Sequence, residues 1–382
     1  MALFPGPFSG PFGRFAGGRG HDAIIPRPGK NFLPLIVLGT RRRPRDPSPR
    51  EPIRALFLGP GEGAKGLHTP HQTWQSVIVF LRRFPMRPHT KEPGGKRKMG
   101  KKKTRLDFIE MKKRGEKVAW ITAYDFPTAS FAEAAGMDMI LVGDSLGMVV
   151  LGYDGTVPVT MEDCIRHSQA VRRGAPQTFC IGDMPFLSYQ ISDEDAVRNG
   201  GRFLKEASMD AVKLEGGRRV AGRIRALTDA GILVMGHIGL TPQSSGQLGG
   251  FKAQGRDPES ARELIADALA VQEAGAWSLL LEAVPPELTA FLTKKLTIPV
   301  YSIGAGAPCD GQLLICGDML GLFQAFTPKF VKKYAQLAEL ETEAFRAYVE
   351  DVKSGAFPGD EHVYHILPGR EKDFEELFRE FS

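Results

Sequence analysis

The chain has 382 residues, 42% of them apolar, enough for one large α/β domain or two ordinary ones. Its net charge of +6 and pI near 9.1 would suggest nucleic acid or an anionic membrane as partner. The charge is unevenly placed: residues 1–98 carry 18 Lys+Arg against 5 Asp+Glu, and the remainder carries 32 against 39. The body is acidic, which argues against nucleic acid, and no run of about 18 apolar residues could cross a membrane.

In chain order, residues 1–98 come first. They hold more than half of the 28 prolines and runs such as Arg41-Arg42-Arg43-Pro44-Arg45. No sustained periodicity emerges, so no packed fold is predicted there. The apolar run Phe32–Leu38 is broken by Pro34 and lies too far in for a signal peptide. Three readings compete: a disordered basic arm, an organellar transit segment, or an upstream stretch translated from a start set too early. Arginine richness suits a transit segment, but the proline and glycine density does not suit an amphipathic helix. Met99, opening Met99-Gly100-Lys101-Lys102-Lys103-Thr104, is a natural start and favours the third reading.

From Lys117 the pattern alternates. Strands are predicted at Val118–Ala123, Met139–Gly143, Thr178–Gly182, Ala211–Leu214, Leu233–His237, Ser278–Glu282 and Val300–Ile303, with a weaker eighth near Met319–Phe323. Helices are predicted between them at Phe126–Ala135, Met161–Arg173, Asp193–Ala207, Arg219–Ala230, Ser260–Ala274 and Pro286–Lys295. Gly136, Gly174, Gly231 and Gly275 each follow a helix as candidate left-handed caps. Seven or eight βα repeats in about 250 residues predict a (β/α)8 barrel over residues 99–365. Residues 330–353 read as one more helix, and 366–382 as a short C-terminal helical tail. The tail's Phe374, Leu377 and Phe378 are expected to pack on the barrel or on a neighbouring subunit.

The C-terminal ends of the strands carry the chemistry. They present Asp144 with Ser145, then Asp183, Lys213 with Glu215, His237, Glu282, and finally Ser302 before Gly304-Ala305-Gly306. In a barrel these ends converge on one mouth. A single strand-end aspartate is more often a helix cap. Five successive ends with ionisable groups are harder to explain that way, because such groups are costly to bury unless paired or metal-bound. The carboxylates Asp144, Asp183 and Glu215, with no converging cysteine and one histidine, favour a hard oxygen-loving cation, Mg²⁺. Zinc is disfavoured; His362 and His365 are spaced as HxxH but in a charged, solvated tail. A metal with Lys213 alongside suits an α-keto acid whose enolate must be stabilised. A Schiff-base lysine is the rival reading. The four cysteines form no CxxC pair, which predicts free buried thiols in a reducing compartment.

Longer motifs carry a resemblance. Thr122-Ala123-Tyr124-Asp125, Val142-Gly143-Asp144-Ser145-Leu146-Gly147, Arg172-Arg173-Gly174-Ala175, Asp183-Met184-Pro185-Phe186, Val212-Lys213-Leu214-Glu215-Gly216-Gly217 and Gly236-His237-Ile238-Gly239-Leu240-Thr241-Pro242-Gln243 are similar to those of the ketopantoate hydroxymethyltransferase family. Leu281-Glu282-Ala283-Val284-Pro285, Ile303-Gly304-Ala305-Gly306 and Phe357-Pro358-Gly359-Asp360-Glu361-His362 continue it, so that it covers roughly Thr104 to His362. Cys309-Asp310-Gly311-Gln312 and Cys316-Gly317-Asp318-Met319 keep the family's shape with altered residues.

The resemblance implies a TIM barrel of the phosphoenolpyruvate/pyruvate-binding kind, cytoplasmic, assembled as a homo-oligomer, typically a homodecamer. It implies hydroxymethyl transfer from 5,10-methylenetetrahydrofolate to 3-methyl-2-oxobutanoate, giving 2-dehydropantoate on the way to pantothenate and coenzyme A. By similarity, Asp144, Asp183 and Glu215 match the Mg²⁺ site, and Asp144, Ser145, Asp183 and Lys213 match positions that hold the keto acid. His237 matches a histidine lining the site, and Glu282 the catalytic proton acceptor, for either the C3 proton or one on a folate nitrogen.

Overall fold

The structure is a computed structural model that describes residues 101–382; the readings of residues 1–98 and of a start at Met99 lie outside the described residues. Eight parallel strands close into a barrel in sequence order: β1 (Val118–Thr122), β2 (Met139–Val142), β3 (Phe179–Asp183), β4 (Ala211–Glu215), β5 (Val234–Gly239), β6 (Ser278–Glu282), β7 (Val300–Ile303) and β8 (Gly311–Leu314). The last pairing, of β8 with β1, runs from Val118 opposite Gly311 to Ile121 opposite Leu314.

Helices α1 (Arg105–Arg114), α2 (Phe126–Ala135), the short α3 (Leu146–Val149), α4 (Met161–Gly174), α5 (Asp193–Ala207), α6 (Ala221–Asp229), the short α7 (Ser245–Leu248), α8 (Pro258–Glu273) and α9 (Pro286–Lys295) precede or separate the strands. A short α10 (Cys316–Met319), α11 (Leu337–Ser354) and α12 (Glu371–Glu380) follow β8. Polar residues start several of them. The Asp125 carboxylate accepts the Thr128 amide, and Thr160 and Ser192 do the same for Asp163 and Asp195, satisfying donors that a helix start leaves free.

The strand pleat sorts side chains onto two faces. One set points into the barrel, where Trp120, Met139, Phe179, Met235, Trp277, Tyr301 and Leu313 form one buried cluster. Helix α1 plugs its lower end: the Phe108 ring meets Phe179 and Trp277 at centroid distances of 5.3 and 5.8 Å. Lys112 Nζ is 2.7 Å from Asp310 Oδ2, which also accepts the Val300 amide at 2.8 Å, tying α1 to the last two strands. The other face, including Val142, Cys180, Val212, Val234 and Leu281, packs against the helices. Two outward glycines permit that packing. A Cβ on Gly182 would lie 2.2 Å from Phe203, and one on Gly236 would lie 2.4 Å from Val271.

Three expectations need correction, and a fourth is narrowed. The eighth strand is Gly311–Leu314, not Met319–Phe323, where Met319 closes α10 and Gly321 turns the chain with φ 70°. Only Gly311 fits beside β1, since a Cβ there would lie 2.3 Å from the Val118 carbonyl oxygen. Gly174 is not a left-handed cap; it belongs to α4, where a Cβ would meet the Phe126 oxygen at 2.3 Å. The helix read over 330–353 begins only at Leu337. Of the two places expected for Phe374, Leu377 and Phe378, the barrel of the same chain does not cover them, since they are exposed on α12. Gly136, Gly231 and Gly275 do adopt positive φ after their helices, at 84°, 82° and 97°.

Candidate active site

Above the apolar plug, the inward rows of the strands change chemistry. Ile181 gives way to Asp183, Ala211 to Lys213, Met235 to His237 and Leu280 to Glu282, each two residues further along its strand, and Glu215 follows two residues after Lys213. Asp144 and Ser145 follow β2 and start α3. All seven candidate residues line a single cavity of ≈ 1120 Å³ at the C-terminal mouth of the barrel. Ser302 is not among them; its hydroxyl accepts the Ala305 amide at 3.0 Å and shapes the turn after β7.

One oxygen of each carboxylate at the floor is held by the protein. Asp183 Oδ2 accepts the Asp144 amide at 3.0 Å, Asp144 Oδ2 accepts Gln243 Nε2 at 2.8 Å, and Glu215 Oε2 accepts the Gln243 amide at 3.0 Å. The second oxygens of Asp183 and Glu215 are buried and receive no hydrogen bond. Lys213 Nζ is the cation nearest them, 2.8 Å from Asp183 Oδ1 and 3.8 Å from Glu215 Oε1, in geometry short of a hydrogen bond. Three carboxylates against one ammonium leave a buried excess of negative charge.

Ionisation reflects that imbalance. Burial, with Glu215 facing it, raises Asp144 to about 6. Burial raises Asp183 and Glu215 each to about 7, although Lys213 pulls both down. For Lys213 burial works against the charge, but Asp183, Glu215 and Asp144 outweigh it and hold the ammonium above its ordinary value. A Schiff-base role needs a neutral amine, so this environment counts against the rival reading of Lys213.

His237 stands between the lysine and the outer acid. Its Nδ1 lies 3.2 Å from Lys213 Nζ and its Nε2 3.2 Å from Glu282 Oε2. An ammonium only donates, so Nδ1 accepts and the neutral ring carries its proton on Nε2, toward Glu282. Burial and the Lys213 charge lower the His237 pKa, which keeps the ring neutral. Burial raises Glu282, with His237 opposing. Ser145 Oγ and the Tyr124 hydroxyl lie 2.7 Å apart.

Sequence reasoning missed Gln243 as a site residue. Its side chain donates to Asp144 and to the Met184 carbonyl and accepts the Tyr189 hydroxyl at 2.7 Å, while its amide holds Glu215. The only signal was its place in Thr241-Pro242-Gln243 just past β5.

Among the described residues, no three His, Cys, Asp or Glu side chains surround one point closely enough to hold a metal unaided. Mg²⁺ does not require that: it commonly takes one or two carboxylates and completes its octahedron with water and substrate. Two buried carboxylate oxygens, Asp183 Oδ1 paired only with Lys213 and Glu215 Oε1 without a hydrogen bond, in a site with excess negative charge fit such an ion.

The sequence pattern of the family Ketopantoate hydroxymethyltransferase matches residues 102–360. The chain belongs to that family. It is 75% identical over 284 residues to the 3-methyl-2-oxobutanoate hydroxymethyltransferase of Alkaliphilus metalliredigens, covering 74% of this chain and 100% of that one. It is 56% identical over 262 residues to the enzyme of the same name from a Geobacillus species, covering 69% and 94%. As a ketopantoate hydroxymethyltransferase family member, the protein is an enzyme that transfers a hydroxymethyl group. Among solved structures it is similar to phosphonopyruvate hydrolase, at 13% identity and a TM-score of 0.46 over 73% of this chain and 98% of that chain. At that level the likeness adds nothing to what the closed barrel already establishes.

Proposed function

We propose that the enzyme moves the one-carbon unit of 5,10-methylenetetrahydrofolate onto C3 of 3-methyl-2-oxobutanoate, giving 2-dehydropantoate, with Mg²⁺ held by Asp144, Asp183 and Glu215. The observation that carries this reading is the barrel floor, where three buried carboxylates share one buried lysine and Glu215 Oε1 receives no hydrogen bond. When bound, Mg²⁺ supplies Lewis-acid polarisation of the keto acid's oxygens, which acidifies the C3 proton.

The chain's own residues do the rest. The Lys213 ammonium pairs with the negative charge of the keto acid, and the Ser145 hydroxyl donates to it. Glu282 takes the C3 proton; a carboxylate raised by burial is a stronger base than one in water. Neutral His237, its Nε2 3.2 Å from Glu282 Oε2, flanks that carboxylate. Water adds to the methylene of the iminium form of the folate, and the C–N bond breaks to release tetrahydrofolate and a formaldehyde equivalent. The enolate carbon then attacks that carbon, whose oxygen takes up a proton and becomes the product hydroxyl. The apolar cavity walls limit other water.

Turnover tests the reading. Purified enzyme with Mg²⁺, 3-methyl-2-oxobutanoate and methylenetetrahydrofolate should form 2-dehydropantoate and lose activity with excess chelator. No product from this pair overturns the reaction, and full activity in chelator overturns the metal.

A further inference from the structure

Asp318 is a carboxylate that the chemistry above does not use. It sits on α10, directly after β8, is only 5% exposed, and lines the same cavity as the keto-acid floor. Among the described residues no hydrogen bond or ion pair reaches its side chain, and Lys333 attracts it only from beyond ion-pair distance. A buried acid without a partner is costly unless a ligand provides one.

Its surroundings narrow the ligand. The cavity of ≈ 1120 Å³ far exceeds what a five-carbon keto acid fills. Val149 and Phe323 flank α10, with their Cβ atoms 3.5 and 3.7 Å from where a Gly317 side chain would start, and Phe326 crosses Phe323 edge to face at 5.3 Å. An aliphatic wall and an aromatic wall suit a flat heteroaromatic ring. At the open end stand Lys252, Arg256 and Lys329, a cationic rim. The keto acid is itself an anion and is repelled by Asp318, so this region is not a second site for it.

We infer that Asp318 recognises the donor edge of the 2-amino-4-oxopteridine ring of the one-carbon carrier. That edge presents a ring N–H beside an exocyclic amine, which a carboxylate accepts as two parallel hydrogen bonds. The ring lies against Val149 and Phe323, and the carrier's glutamate carboxylates meet Lys252, Arg256 and Lys329. One ligand class thus accounts for the unpartnered acid, the walls and the rim. The assignment rests on the folate reading above.

Isothermal titration of tetrahydrofolate into wild-type and Asp318→Asn enzyme tests it, with 3-methyl-2-oxobutanoate titrated in parallel with Mg²⁺. Loss of a charged partner should weaken tetrahydrofolate at least about tenfold while keto-acid affinity stays within about twofold. A tetrahydrofolate analogue lacking the 2-amino group should bind wild type about as weakly, an arm that needs no variant. No tetrahydrofolate binding to wild type overturns the folate reading and this assignment together. Tight binding to wild type and Asp318→Asn alike, or undiminished binding of the desamino analogue, overturns Asp318 alone. Equal weakening of both ligands makes its role structural and overturns it too.

Discussion

Gln243 shows how much of the site depends on one residue outside the strands. It fixes Asp144, Glu215 and Tyr189 at once, so Gln243→Leu should lower kcat/KM and Mg²⁺ affinity by about 10- to 100-fold, read from Mg²⁺ titrations of turnover. Asp183, Lys213, Glu215, His237 and Glu282 were legible in sequence because a pleated strand places alternate residues inside the barrel. Gln243 was not, because its role arises only when the turn after β5 folds back over the mouth. The raised carboxylates also set a pH dependence. Asp144, Asp183 and Glu215 ionise at about 6, 7 and 7 when folded, against ordinary values of 3.8, 3.8 and 4.5. The folded state therefore binds extra protons between those limits, and metal-free stability should fall as pH rises through about 7. His237, lowered from 6.5, opposes this below that value with one proton against three. Melting curves of the metal-free enzyme should show a lower midpoint at about pH 8 than at about pH 5. Saturating Mg²⁺ should raise the pH 8 midpoint by roughly 5–10 °C. A midpoint that rises with pH and ignores Mg²⁺ would contradict the charge balance assigned to the floor.

At the scale of elements, strand and helix are fitted to each other through missing side chains. Gly236 on β5 faces Val271 on α8 with no room for a methyl group. Gly236→Ala should cost about 1–3 kcal/mol in urea unfolding, and Val271→Ala in the same chain should recover part of it. Additive losses would show that the two do not touch. Most strands were legible because their apolar runs are bounded by glycine and charge. The exception, β8, opens with Gly311 and Gln312, so its apolar run of Leu313-Leu314-Ile315-Cys316 begins only half-way along the strand and spills past its end. It is a strand because β1 and β7 pair with it, a property of the closed barrel and not of its composition.

Among the described residues, the helical ring leaves the outer faces of β1 and β8 uncovered. On the outer faces of β1 and β8, Ala119 and Gln312 are exposed, although parallel strands are normally covered on both faces. Helix α11 meanwhile buries none of its residues and exposes Leu340, Phe345, Tyr348, Val349 and Val352. An uncovered barrel face and a helix whose apolar side chains have no cover among the described residues would complement each other between two copies. Light scattering should therefore report a homo-oligomer that Phe345→Asp with Val349→Asp shifts to smaller species; a wild-type monomer would contradict this. The central claim concerns the barrel mouth as a Mg²⁺-assisted enolising site, and proton exchange tests it most directly. In D₂O with Mg²⁺ and no folate, the enzyme should exchange the C3 proton of 3-methyl-2-oxobutanoate, followed by NMR. Exchange should stop with chelator and fall at least about 100-fold in Glu282→Gln. Exchange that persists without metal, or at an undiminished rate without the Glu282 carboxylate, would contradict the account.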